Sequence, residues 1–131
     1  MPIAKMNSIT IHYSLNAPYE VNLCTSELQQ VIINLLNNAI HALENVDHLE
    51  KKIRIQTEQT SNTVRLMVID NGTGIPVEMG NTIFDLMKTS KSEGMGVGLW
   101  LSRHIVKRHR GALYYENQED GGVSFIMELP V

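Results

Sequence analysis

The stretch "SELQQVIINLLNNAIHALEN", Ser26 to Asn45, places apolar residues at Leu28, Val31, Ile32, Leu35, Leu36, Ala39, Ile40 and Leu43. These positions advance by steps of three and one, the signature of a stripe along one side of an α-helix. A helix with so continuous a stripe gains most of its stability by laying that stripe on another layer. Ser26 and Gln29 have the spacing of a capping box, so the helix is expected to start there.

What the helix lies on is legible in the flanking runs. "SITIHYSL" (Ser8 to Leu15) alternates polar and apolar residues, as a half-buried strand does, and "VNL" (Val21 to Leu23) reads as a short second strand. "KKIRIQTEQ" and "TVRLMVID" are β-rich and separated by "TSN", which predicts a hairpin. A short helix is expected within Val77 to Met87, and a longer one in "VGLWLSRHIVKRH", with Lys107 to Arg110 at the favourable end of its dipole. "GALYYEN" and "GGVSFIMELP" close the chain as two strands. This order predicts an α+β fold: a two-layer α/β sandwich with a mixed, mostly antiparallel sheet and its helices on one face.

The 131 residues suffice for one domain, expected over 8–131, with 1–7 read as a linker or vector-derived remnant. A formal charge of -3 argues against nucleic acid as a partner, and no apolar run is long enough for a membrane span. The single Cys24 excludes an internal disulfide and suits a cytoplasmic setting. The methionines read as core fillers, and Trp100 as a packed residue of its apolar helix.

Three segments carry chemistry. "GMGVGL" puts Gly94, Gly96 and Gly98 just ahead of a helix, where bare N–H groups and the helix N-terminus can face phosphate. It fits neither the dinucleotide-binding G-x-G-x-x-G nor a Walker loop, and alone it equally fits a flexible loop before a helix cap. Asn34, Asn38 and His41 share one flank of the first helix. Asn is a mediocre helix former, and amide oxygens one turn apart suit Mg²⁺, although a solvated polar face would look the same. "DNGTGIP" sets Asp70 at a strand end with Gly72 and Gly74 behind it, which fits a carboxylate reading an amino group or an ordinary D-G turn.

In this order, "QVIINLLNNAIHAL", "VIDNGTGIP" and "GMGVGL" resemble the N, G1 and G2 boxes of the ATPase superfamily. That superfamily is shared by gyrase, heat-shock ninety chaperones, mismatch-repair MutL proteins and sensor histidine kinases. The chain is most similar to the catalytic ATP-binding domain of a two-component sensor histidine kinase, over about Ser8 to Pro130. The resemblance implies ATP and Mg²⁺ as cofactors. Asp70 would read the adenine amino group, Gly72 and Gly74 would shape the adenine pocket, and Ile75 would touch the ring. Asn38 would bind Mg²⁺, with Asn34 beside it and the phosphates. His41 stands where many relatives have a phosphate-contacting Lys or Arg, so any contact from it would vary with pH. Gly94, Gly96 and Gly98 would wrap the triphosphate, with backbone from Met95, Val97 and Leu99, as a hinge between an ATP lid and the helix start. "IFDLMKTSK" resembles the F box and its T-T-K run, with Phe84, Thr89 and Lys91 near the nucleotide and Met87 in place of a second Phe. Arg110 stands where the family usually has Gly.

Gyrase-like and chaperone-like members carry a Glu one turn before the Mg²⁺ asparagine to activate water. Asn34 occupies that position and cannot act as a carboxylate base, which favours phosphotransfer over hydrolysis. None of His12, His41, His48, His104 or His109 precedes an acid, as family acceptor histidines do. The resemblance therefore implies a monomeric module that binds the donor. Its partners would be a separate dimerisation domain carrying the acceptor histidine and, downstream, a response-regulator receiver domain. A serine kinase of the anti-sigma class and a nucleotide-binding scaffold without phosphotransfer are the competing readings.

Overall fold

A computed structural model describes residues 9–15, 25–44, 46, 50–85 and 95–130, with backbone alone at 9–15, 25 and 95–97. Its elements are β1 (Ile9–Leu15), α1 (Thr25–Glu44), β2 (Lys51–Gln59), β3 (Thr63–Asp70), a 3-10 turn (Gly80–Phe84), α2 (Met95–Arg108), β4 (Ala112–Asn117) and β5 (Val123–Pro130). They build one five-stranded sheet in the order β1-β2-β3-β5-β4. Only the β1–β2 pair is parallel; β2–β3, β3–β5 and β4–β5 are antiparallel. The mixed, mostly antiparallel sheet and the helical layer agree with the α+β reading. The short strand expected at Val21 to Leu23 lies outside the described residues, as do 1–7, Cys24 and His48.

Strand alternation decides what meets the helices. Ile53, Val68, Phe125 and Leu113 point inward from four successive strands and are at most 2% exposed. Against them lie Val31, Leu35, Leu36, Ala39, Ile40 and Leu43 of α1, and Leu99, Ile105 and Val106 of α2. Every position of the predicted α1 stripe is in this core or packed on it. The helix begins one residue earlier than the capping-box spacing suggests, so Ser26 lies within its first turn.

The two helices run antiparallel. Glu27 in the first turn of α1 pairs with Arg108 at the end of α2, and Asn34 meets Gly98 and Ser102 at the start of α2. An acid at one helix's positive end thus faces a cation at the other's negative end, so each complements the dipole of its own helix and the two pair across the helices. His109 donates from Nδ1 to the Ile105 carbonyl at 2.9 Å, which helps close that end.

Two expectations need correction. Trp100 is not a core residue: it is half-buried and stacks on His104 one turn along, with ring centroids 4.7 Å apart. Its apolar neighbours Leu99 and Ile105 take the inward positions, which leaves Trp100 on the flank. Helix α2 starts at Met95, two residues before the expected Val97, so Gly96 as well as Gly98 lies in its first turn.

Arg110 ends α2 in the left-handed region, at φ 63. The Gly111 N–H bonds the Val106 carbonyl and the Arg110 N–H bonds the Lys107 carbonyl, both at 2.9 Å. That is a Schellman ending, whose left-handed residue is usually glycine. Arg110→Gly should stabilise the domain by about 0.5–1 kcal/mol, the cost of holding a Cβ there. A urea midpoint that rises with unchanged slope would bear this out; a falling midpoint would refute it.

Candidate functional site

Helix α1 is the spine of the site. Near its C-terminal end, a Cβ built on Gly72 would lie 3.3 Å from the Ala42 carbonyl and 3.5 Å from Leu43, so the loop after β3 rests directly on the helix. Two turns earlier, Asn34 touches the start of α2. The stretch from Asn34 to Leu43 covers about 13 Å of helix axis. It is bordered at one end by the Asp70 loop and at the other by the glycine-bearing first turn of α2, with Asn38 and His41 between.

Asp70 is the last residue of β3 and only 2% exposed. Its Oδ1 accepts the Gly72 N–H at 2.9 Å, while Oδ2 is buried with no hydrogen-bond partner among the described residues. Burial pushes the Asp70 carboxyl above its usual range, against the opposing pull of the Gly72 and Val123 N–H groups. A buried carboxylate oxygen left without a donor is costly, so its persistence marks a place where a ligand donor is expected.

The loop beyond Asp70 is held by residues that sequence reasoning did not single out. Asn117, ending β4, accepts the Ile75 N–H at 2.9 Å and donates to the Ile75 carbonyl at 2.8 Å, a two-point clasp across 42 positions of sequence. Gly74 (φ 79) fits beneath it; a Cβ there would stand 2.9 Å from Asn117 Oδ1. Asn71 accepts the Lys52 N–H at 2.8 Å and donates to the Glu50 carbonyl at 2.9 Å, fixing the strand end that carries Asp70. No local pattern signals these contacts, because asparagines at strand ends and turns are common. Asn117→Ala should destabilise the domain by about 1–2 kcal/mol through two lost hydrogen bonds. It should also weaken adenine-nucleotide binding, with Asn117→Asp, which keeps one bond, falling between. Unchanged calorimetric affinity across that series would dismiss the clasp as part of the site.

Asn34 donates from Nδ2 to Ser102 Oγ at 3.0 Å and to the Gly98 carbonyl at 3.4 Å, and its Oδ1 accepts from Gln30 at 2.9 Å. A glutamate could not donate to either acceptor on α2, so the amide here ties α1 to the first turn of α2. Asn38, one turn on, is half-buried, and its side chain hydrogen-bonds no other described residue. His41 keeps Nδ1 3.5 Å from Glu44 Oε2, while its Nε2 is buried without a partner among the described residues.

Phe84 is 3% exposed and packs edge-on against Phe125 and beside Tyr115, which makes it a core residue. The Arg103 guanidinium lies over its ring at 4.5 Å, a cation–π contact that joins α2 to the 3-10 turn. Ile75 is half-buried against the core, Leu99 is within it, and Met95, Gly96, Val97 and Gly98 form the first turn of α2. Thr89, Lys91 and Gly94, with Met87, lie outside the described residues.

A helix-backed, mostly antiparallel sheet, a buried strand-end carboxylate with one oxygen unpartnered among the described residues, and an amide-lined helix leading to a glycine-bearing helix start define a nucleotide-binding α+β domain. Residues 25–131 match the model of the family described as histidine kinase-, DNA gyrase B- and HSP90-like ATPase, and the chain belongs to that family. It is 38% identical over 105 residues to the signal transduction histidine-protein kinase AtoS of Escherichia coli, covering 79% of this chain and 17% of that protein. The catalytic domain of histidine kinase ThkA superposes with a TM-score of 0.83 at 32% identity, covering 97% of this chain and 83% of that one. A second structure, ThkA in complex with response regulator protein TrrA, matches with a TM-score of 0.80 at 32% identity, covering 97% of this chain and 35% of that one. Within its family the chain is therefore a histidine kinase ATP-binding catalytic domain.

Proposed function

We propose that this domain binds Mg-ATP and presents its γ-phosphate to a histidine on a separate dimerisation domain, within a two-component pathway. The observation that carries this reading is Asp70 Oδ2, a buried carboxylate oxygen without a partner among the described residues, beside a loop that packs on α1. It is the acceptor an adenine amino group needs, and Gly72, with no side chain, lets the loop seat that carboxylate directly against α1.

The chain's own residues divide the work by position. Asp70 and the Asn117-clasped Ile75 segment would hold the base, and the first turn of α2 would offer its N–H groups to the phosphates. Among the described residues no group of three His, Cys, Asp or Glu could hold a metal. The amide of Asn38 suits a cation that keeps most of its shell as water and phosphate oxygens, so Asn38 would hold Mg²⁺. When bound, Mg²⁺ supplies charge neutralisation on the phosphates. Asn34 would serve by fixing α2 against α1, and His41 Nε2 is free to meet a phosphate oxygen. With no carboxylate at position 34 to activate water, the geometry favours transfer to a nitrogen nucleophile delivered by the partner. The structure of ThkA with TrrA supports a response regulator as the downstream partner. No helix among the described residues is long and apolar enough to cross a membrane.

The test is to incubate the domain with its kinase's dimerisation domain, γ-labelled ATP and Mg²⁺. Acid-labile label on the dimerisation domain is the expected result. Acid-stable label would point instead to a serine kinase, and nucleotide binding without any label to a scaffold.

A further inference from the structure

On the face of the sheet away from the helices, β2, β3 and the β4–β5 turn enclose a cleft of about 560 Å³. That is within the range of small-molecule sites. Lys52 and Arg54 occupy outward positions of β2 on one side, and Gln118 and Asp120 of the turn stand on the other. Ile69, paired with Arg54 in the register, supplies an apolar floor between them. Asp70, Asn71 and Gly121 complete the lining, and the Asn71 side chain is already committed to Glu50 and Lys52 backbone, so that wall is fixed.

The charges in this cleft are unusual for the face they occupy. Toward the other end of the same sheet face, Arg65 stands between Glu58 and Glu128, 3.9 and 2.7 Å away, and its charge is consumed. Arg54 has Ile69 beside it instead of an acid, and neither Arg54 nor Asp120 has an ion-pair partner among the described residues. Lys52 reaches Glu50 at 3.1 Å, but that pair is exposed and easily exchanged. Opposite charges are thus held apart across a concave, apolar-floored space.

We propose that this cleft binds a small ampholyte of about dipeptide size, carrying two carboxylates and one ammonium group. The Arg54 guanidinium would take one carboxylate in two-point fashion and Lys52 the second, while Asp120 receives the ammonium. The carbon skeleton would cover Ile69. The cleft shares Asp70 with the proposed nucleotide pocket, but Lys52, Arg54 and Asp120, which would hold the ampholyte, are not the groups proposed to hold ATP, so the inference does not depend on the function proposed above.

The experiment is an amide-resolved NMR titration of the nucleotide-free ¹⁵N-labelled domain with glycylglutamate. Saturable shifts centred on Lys52 to Arg54 and on Gln118 to Gly121 are expected, with half-saturation at about 1 mM or below. Arg54→Gln and Asp120→Asn should each weaken binding about tenfold, the loss of one charged contact. Both side chains are exposed, and each variant's spectrum reports whether the fold is kept. Glycylglycine, which lacks the second carboxylate, should also bind about tenfold more weakly. Shifts that fail to saturate by about 10 mM, that centre elsewhere, or that persist unchanged in Arg54→Gln would overturn the proposal. Equal binding of glycylglycine would overturn the assignment of two carboxylates.

Discussion

Asp70→Asn is expected to cost the domain about a hundredfold in ATP affinity, as follows from leaving buried polar groups mismatched. The side chain has two oxygens with different duties. Oδ1 accepts the Gly72 N–H, and Oδ2, the oxygen proposed to meet the adenine amino group, is buried with no partner among the described residues. An asparagine that keeps its oxygen on Gly72 must aim its NH₂ at the adenine amino group, so two donors collide. Flipping the amide cures that clash and abandons Gly72 instead. Either way one buried group goes unsatisfied, which mere loss of charge at the surface would not cause. Calorimetry with ATP and with GTP separates the effects: ATP affinity should fall steeply, and an ATP affinity within a factor of a few of the parent's would remove Asp70 from the site.

The same substitution should make the nucleotide-free domain more stable at neutral pH. Burial raises the Asp70 carboxyl above its unfolded value, so the folded state prefers the protonated acid. The stability that Asp70 contributes is therefore complete below the unfolded value and is lost as pH rises through the raised folded value. At neutral pH the parent folds with a disfavoured buried charge, which Asn does not carry. Urea midpoints of parent and variant should converge in acid and separate, with the variant higher, as pH increases. Parallel curves would mean that the carboxylate carries no such strain. The two outcomes together would show a residue kept for binding at the expense of the fold.

What the sequence disclosed followed from local periodicity and from glycine and asparagine placement. The α1 stripe is legible because burial of one helix face leaves a mark every three or four residues, and Val31 to Leu43 lie where that mark puts them. The hairpins are legible because short polar turns separate β-rich runs. The Asn117 clasp on Ile75 is not, since 42 positions separate its ends and either residue alone is unremarkable. Nor is the core position of Phe84, which depends on Phe125 and Tyr115 arriving from the last hairpin. The α2 start lies at Met95 instead of Val97 because glycine's weak helix propensity at Gly96 makes that turn look like loop in the sequence. Arg110 shows the converse, a family glycine replaced by a residue that the backbone still bends through φ 63.

The larger structural effect is expected from Gly122→Ala. Gly121 and Gly122 sit together in the β4–β5 turn, at φ 97 and 93, where a side chain is strained for backbone reasons alone. Their surroundings differ. A Cβ on Gly121 would find only the Gly72 carbonyl at 3.5 Å, an ordinary contact, so Gly121→Ala should cost about 1–2 kcal/mol. A Cβ on Gly122 would fall 2.0 Å from the Asp70 carbonyl oxygen and 2.9 Å from Asn71 Cα. Both are backbone atoms, so no rotamer change relieves the overlap, and β5 must part from β3 at the residue pair Asp70 and Val123. Gly122→Ala should therefore cost about 4 kcal/mol, among the large effects of single substitutions. Because the displaced carbonyl belongs to Asp70, the molecules that remain folded should also bind ATP at least about tenfold more weakly, a loss of about 1.4 kcal/mol. Gly121→Ala should leave that affinity near the parent's. Urea unfolding and calorimetry on the pair settle the matter, since equal costs for the two alanines would show that the turn is free to move and does not brace the Asp70 strand end.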